Sequence, residues 1–198
     1  MPQKQKTTIS PSKYYHIFNR GVNRRTIFKE EQDFKRFLNL LRKYVLPVGS
    51  LFSYALMEDH FHLVVCIKGR TELEEWFLTD ERRIGRQFSH LQNAYAKYFN
   101  GKYRTVSGLF ERSFERQEVM DLRYFKNVVL YTHRNPIKHG YCRGLEEYPW
   151  TSFHELTTPM MSTFLARDIL WDKFGGIDAF VAAHEIEDLL FNDGDLEI

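Results

Sequence analysis

The feature that most constrains the fold is the succession of hydrophobic periods between Lys13 and Asn135. Residues 13–19 are strand-like in composition, and Arg20-Gly21-Val22-Asn23-Arg24-Arg25 after them reads as a basic turn. Over 30–45 the apolar residues Phe34, Phe37, Leu38, Leu41 and Val45 recur at spacings of three and four, which predicts a helix that Pro47 and Gly49 stop. Residues 50–57 and 60–67 return to strand composition, with an acidic turn at Glu58-Asp59 between them. A second helix is predicted over 84–100, with Phe88, Leu91, Tyr95 and Tyr98 or Phe99 on related faces and Gly101 at its end. Residues 114–119 read as an edge strand, and 121–135 as a third helix, capped by Asp121 and ended by Pro136. Six elements in the order strand, helix, strand, strand, helix, strand fit an α+β fold. The expectation is a ferredoxin-like split βαβ sandwich, an antiparallel sheet with its helices on one face, followed by a helical C-terminal extension.

Composition supports a packed body and excludes several classes. With 43% hydrophobic and 16% aromatic residues in 198, the chain can bury a sizeable core. No apolar run approaches the roughly 18 to 20 residues that cross a bilayer, and residues 1–10 are polar, so neither a membrane span nor a secretory signal is expected and the location is read as cytoplasmic. Cys66 and Cys142 have no spacing that suggests a zinc site or a disulfide framework. Charge is distributed unevenly. The formal net charge is +2, yet residues 151–198 hold two bases against ten acids, a net −8, which leaves +10 on residues 1–150. A basic body with an acidic tail points to a polyanionic partner. Residues 1–12 read as a flexible arm, 13–153 as the body, and 154–198 as an acidic extension with an amphipathic piece over 177–190.

Three groups of residues could carry chemistry. In His60-Phe61-His62-Leu63-Val64-Val65-Cys66-Ile67 the side chains alternate, so His60 and His62 share a face while Phe61, Leu63, Val65 and Ile67 point into the core. Two imidazoles on one strand face make half a site for a divalent cation, and the spacing also suits two polar residues on a solvated strand face. In Tyr131-Thr132-His133-Arg134-Asn135-Pro136, Tyr131 and Asn135 stand one helical turn apart, while His133 faces elsewhere and reads as packing or solvent-exposed. Basic and aromatic residues interleave at Arg20, Arg24 and Arg25, at Arg82, Arg83 and Arg86, and from Tyr95 through Lys97, Tyr98, Lys102 and Tyr103 to Arg104. Such a mixture can neutralise phosphates while aromatic faces stack on unpaired bases.

Taken together, these residues resemble the single-tyrosine HUH transposases, specifically the REP-associated tyrosine transposase branch. The resemblance runs from Tyr14-Tyr15-His16-Ile17-Phe18-Asn19-Arg20-Gly21 through Leu56-Met57-Glu58-Asp59-His60-Phe61-His62-Leu63 and Gly108-Leu109-Phe110-Glu111-Arg112. It continues through residues 131–140 and ends near Tyr148-Pro149-Trp150-Thr151-Ser152-Phe153, about three quarters of the chain. It implies a catalytic domain over 13–153, a metal-binding histidine pair at His60 and His62, a third ligand at Asn135 and a nucleophile at Tyr131. It also implies Mg²⁺ or Mn²⁺ as the metal and single-stranded or hairpin DNA, often from palindromic repeats with a short flanking guide, as the partner. Arg20, Arg24, Arg25, Arg83, Arg86, Lys102, Arg104 and Lys138 are the candidate DNA contacts. Two positions depart from the family pattern: Glu58-Asp59 replaces the usual Pro-Asn, and Arg134 stands where an apolar residue is usual.

The expected function is DNA transposition by metal-dependent cleavage and rejoining of single strands through a 5′-phosphotyrosine. The alternatives are a non-catalytic nucleic-acid-binding module on the same scaffold and a metal-dependent hydrolase with a structural Tyr131. Monomer and homodimer both remain open. For the acidic tail the choice lies between solvated helices and a segment that folds back over the basic groove and weakens nonspecific binding.

Overall fold

In a computed structural model of the chain, residues 8–80, 82–106, 108–111 and 113–186 are described. The first seven residues of the expected arm, Arg112 of the third motif, and the tail from Glu187 onward, with five of its ten acids, lie outside the described residues. Strand β1 (Tyr14–Arg20) leads through a short 3₁₀ turn to α1 (Glu31–Tyr44), and β2 (Gly49–Leu56) and β3 (His60–Ile67) follow. A short α2 (Glu75–Leu78), α3 (Arg82–Tyr103), β4 (Glu115–Val119) and α4 (Leu122–Lys138) come next. The chain closes with α5 (Phe153–Thr157), α6 (Arg167–Phe174) and α7 (Ile177–Glu185). All strand pairs are antiparallel in the order β2-β3-β1-β4, so β4 is the expected edge strand and the ferredoxin-like arrangement holds.

The sheet is covered on both sides. Helices α1 and α3 pack on one face, where Phe37 meets Phe61 and Tyr95. Helix α4 lies across the other face, with Phe125 against Tyr14 and Phe52. The strand alternation of β3 therefore serves two cores, and the histidine face is a packed one. The segment at 150–152 joins the edge of β2: Leu56 N–H donates to Trp150 O, Ser152 N–H to Tyr54 O, and Ala55 bridges Thr151.

Two helix ends differ from expectation. Helix α3 runs through Gly101 to Tyr103, because its last turn is pinned from outside. The Tyr103 ring packs on Phe99 with centroids 4.6 Å apart, and Lys102 binds Glu30 at 2.6 Å and the buried carboxylate of Asp33 at 2.7 Å. A mid-helix glycine costs only about 1 kcal/mol relative to alanine, which such contacts offset. Helix α4 has Asp121 as its N-cap, accepting from Tyr124 N–H at 2.7 Å as expected, yet it continues past Pro136 to Lys138. The missing N–H of Pro136 forfeits one helical bond. Beyond it, His139 N–H donates to Asn135 O and Tyr141 N–H to Pro136 O, which holds the final turn in place.

Candidate active site

The site lies between β3, the end of β1 and the C-terminal half of α4. Register pairs Arg20 with His60, Phe18 with His62 and His16 with Val64, so the β1 residues His16, Phe18 and Arg20 share the histidine face. The turn after β1 is drawn onto the turn before β3. Gly21 N–H donates to Asp59 O at 2.7 Å, and a Cβ at Gly21 would lie 2.1 Å from the Arg25 carbonyl oxygen, so only glycine fits this approach. Over these strands α4 lays a stripe of Tyr131, Asn135 and Lys138.

All the central groups are buried: His60 is 6% exposed, His62 1%, Tyr131 4% and Asn135 0%. Asn135 Oδ1 stands 3.1 Å from His60 Nε2, and the other ring nitrogen of His60, Nδ1, is 2.5 Å from Asp59 Oδ1. That bond from His60 holds the Asp59 carboxyl below the usual carboxylate range. The Tyr131 ring meets His62 edge-on with centroids 5.5 Å apart, and Lys138 Nζ lies 5.7 Å from the centre of the same ring. Burial pushes His62 well below its ordinary value, which favours the neutral imidazole that binds metals.

The polar atoms left over test whether a cation suits these residues. In the tautomer whose single ring proton is directed from Nδ1 to Asp59, His60 turns a lone pair toward Asn135 Oδ1, which is itself an electron-pair donor. His62 Nε2 is buried and has no hydrogen-bond partner among the described residues. Neighbouring ligands of an octahedral ion with bonds of about 2.1 Å stand about 3 Å apart, the observed spacing of His60 Nε2 and Asn135 Oδ1. The donor set of two imidazoles and one amide fits a divalent cation. Among the described residues no group of three His, Cys, Asp or Glu is placed to hold one, so the amide is needed.

Sequence reasoning passed over His16. It is fully buried, and its Nε2 lies 2.9 Å from His62 Nδ1 with the two rings stacked. When the shared proton sits on His62, Nε2 of His62 is left bare, His16 accepts through Nε2, and the proton of His16 lies on its buried Nδ1. Burial lowers His16 to about 3, so it acts as a neutral partner. Alternation along β1 places His16 on one face, but only the strand register shows which. His133 likewise proves to be a packing residue. Its ring lies within a buried chain, 2.7 Å from Ser152 Oγ and 2.9 Å from His184 Nε2, and His184 Nδ1–H donates to Phe180 O at 2.8 Å. Arg134 joins the same junction, donating to the carbonyls of His184 at 2.6 Å and Ile186 at 2.9 Å.

The eight basic candidates do not form one patch. Arg20, ion-paired with Glu111 at 2.8 Å, lies beside the histidines with Lys138, and Arg24 is near enough to His139 to disfavour its charge, after burial, His60 and Lys138. Arg25 lies over the Phe99 ring at 5.9 Å, and Arg104 is exposed just beyond α3. Lys102 is spoken for by Asp33 and Glu30. Arg83 stacks on Trp76 at 4.4 Å and Arg86 faces Asp80 at 3.6 Å, both near the start of α3. At about 1.5 Å per residue, Arg83 stands about 28 Å from Lys102 along the helix.

No family model matches the chain. A provisionally named REP-associated tyrosine transposase of Haemophilus influenzae is 28% identical over 105 residues, 52% of this chain and 57% of the relative. The REP-associated tyrosine transposase of Escherichia coli K12 is 22% identical over 102 residues, 52% of this chain and 53% of the relative. The chain thus spans about half the length of the curated relatives it matches. The solved structure of a REP-associated tyrosine transposase bound to a REP hairpin superposes with a TM-score of 0.57 at 15% identity, covering 83% of this chain and 90% of that one, a likeness of fold. The chain resembles the REP-associated tyrosine transposases in sequence and in fold.

Proposed function

We propose that the protein is a single-strand DNA transesterase of the transposase type, with Tyr131 as nucleophile and His60, His62 and Asn135 as ligands of a Mg²⁺ or Mn²⁺ ion. The observation that carries this reading is the meeting, within one chain, of the Tyr131 ring with two buried imidazoles and an amide. A bound divalent cation would act as a Lewis acid on the scissile phosphate and offset its charge. His16 and Asp59 orient the histidines. Lys138, over the Tyr131 ring, adds a positive charge where an anionic phosphodiester must approach a phenol that is mostly protonated near neutral pH. Attack of the Tyr131 oxygen on phosphorus, with the phenol proton lost to solvent, forms a 5′-phosphotyrosine and breaks the bond to the 3′ oxygen, which takes up a proton from solvent and leaves as a free 3′-OH. The phosphodiester energy is kept in the protein linkage, and attack by another 3′-OH restores Tyr131 and joins the strands without ATP.

The solved neighbour is bound to a REP hairpin, which supports single-stranded or hairpin DNA as the substrate class. Incubating labelled hairpin oligonucleotides with the protein and Mn²⁺ should give a covalent adduct with wild type and none with Tyr131→Phe. An adduct that persists in the Phe variant removes Tyr131 as nucleophile. The near-complete burial of Tyr131 favours a second reading, a binding module without catalysis. That reading predicts salt-sensitive oligonucleotide binding and no Mn²⁺ binding dependent on His60 and His62.

A further inference from the structure

A cavity of about 520 Å³ opens beside Tyr131, between the last turns of α4, the loop at 143–145 and the end of α7. Tyr131, Asn135, Lys138, Arg143, Leu145 and Glu185 line it. Its volume falls within the roughly 300 to 1,000 Å³ of small-ligand sites. That is too small for a duplex and suited to one unpaired nucleotide.

Its charges are arranged by element. Lys138 comes from the final turn of α4 and Arg143 from the loop, while Glu185 stands on the opposite element, α7. Arg134, also on the wall, is committed to the His184 and Ile186 carbonyls and so builds the cavity. The backbone N–H of Arg143 donates to Glu147 at 2.8 Å, which fixes the loop, and the Arg143 side chain is exposed with no ion pair among the described residues. Ile137 and Leu145 supply apolar wall. A nucleotide has the complementary layout, an apolar base face at one end and an anionic phosphate at the other.

We propose that this cavity seats one unpaired nucleotide flanking the scissile phosphate. Arg143 and Lys138 take its phosphate, Leu145 and Ile137 pack its base, and Glu185 turns the phosphate away from α7. The inference rests on the DNA-cleaving reading, and it adds Arg143 as a binding residue outside the family motifs and sets which end of the nucleotide enters. The α4 stripe that carries Tyr131 and Asn135 also carries Lys138, so seating the nucleotide would place the adjoining phosphate along the reacting groups.

The test is fluorescence anisotropy of the full chain with a labelled single-stranded oligonucleotide in EDTA, across a salt series. Arg143→Ala should lower the slope of log affinity against log salt by about 0.7, the value of one phosphate contact on a single strand. Leu145→Trp, which fills the cavity without changing charge, should weaken binding several-fold at unchanged slope. Wild-type affinity and slope in both variants overturn the proposal. Adduct formation with Mn²⁺ separates the two readings. A wild-type adduct with unaffected binding in both variants removes the cavity and keeps the chemistry, whereas altered binding with no wild-type adduct keeps the cavity and removes the chemistry.

Discussion

His62 can offer a lone pair from Nε2 only while its ring proton stays on Nδ1, and the group placed to keep it there is His16, 2.9 Å away. Asp59 does the same for His60 with a carboxylate. Outer-shell partners of this kind fix tautomer and ring orientation, and their loss typically weakens metal binding 10- to 100-fold. His16→Phe keeps a planar ring in the buried space and removes the nitrogen, so calorimetry should show Mn²⁺ affinity reduced by about that range. Unchanged affinity in a variant that melts like wild type would show that His62 needs no partner. Asp59 was visible in the sequence only as extra negative charge beside the histidines. Its bond to His60 gives that charge a physical meaning, because a carboxylate accepts from imidazole more strongly than a neutral acceptor would.

At the scale of elements, α4 joins the candidate site to the packing that supports it. One stripe carries Tyr131, Asn135 and Lys138, and His133 and Arg134 tie the helix to Ser152, His184 and Ile186. Burial holds His184 at about 4 and pushes His133 well below its ordinary value, against about 6.5 for a free imidazole. Between those values the unfolded chain takes up protons that the folded chain refuses, so stability falls as pH drops through the window from about 6.5 toward 4. The melting temperature should therefore fall between pH 7 and pH 5, and His184→Gln should flatten part of that fall. A dependence identical to wild type would mean that His184 is already free to charge in the folded protein. The local rules read α1 and the alternation of β3 correctly, because each depends on neighbours in sequence. They failed where a distant group decides. Gly101 and Pro136 are helix breakers overruled by Asp33 and by the turn that follows α4, and Lys102 looks like a DNA contact until Asp33, 69 residues away, claims it.

For the whole molecule, the +10 body resolves into separate places. Burial alone would push the Asp33 carboxyl up, and the bonds from Lys102, Tyr103, the Lys29 N–H and Tyr98 outweigh it, so part of the basic charge serves the fold. Arg20, Arg24 and Lys138 lie on the side of the histidines, while Arg83 and Arg86 stand near the start of α3. Arg24→Ala should accordingly lower the salt slope of single-strand binding by about 0.7, and Arg83→Ala should leave it unchanged. Equal effects would mean that the strand wraps the molecule from one end of α3 to the other. Sequence alone could count these charges but not sort them, since their positions depend on helix length and strand register.

The central claim is that the phenol of Tyr131 becomes covalently joined to DNA. Its most direct test is mass spectrometry of peptides from the full chain after reaction with a hairpin oligonucleotide and Mn²⁺ and nuclease trimming. The account predicts a 5′-linked deoxynucleotide on the peptide that contains Tyr131, absent when His62 is replaced by alanine. A cleaved strand bearing a free 5′-phosphate, with that peptide unmodified, would contradict it.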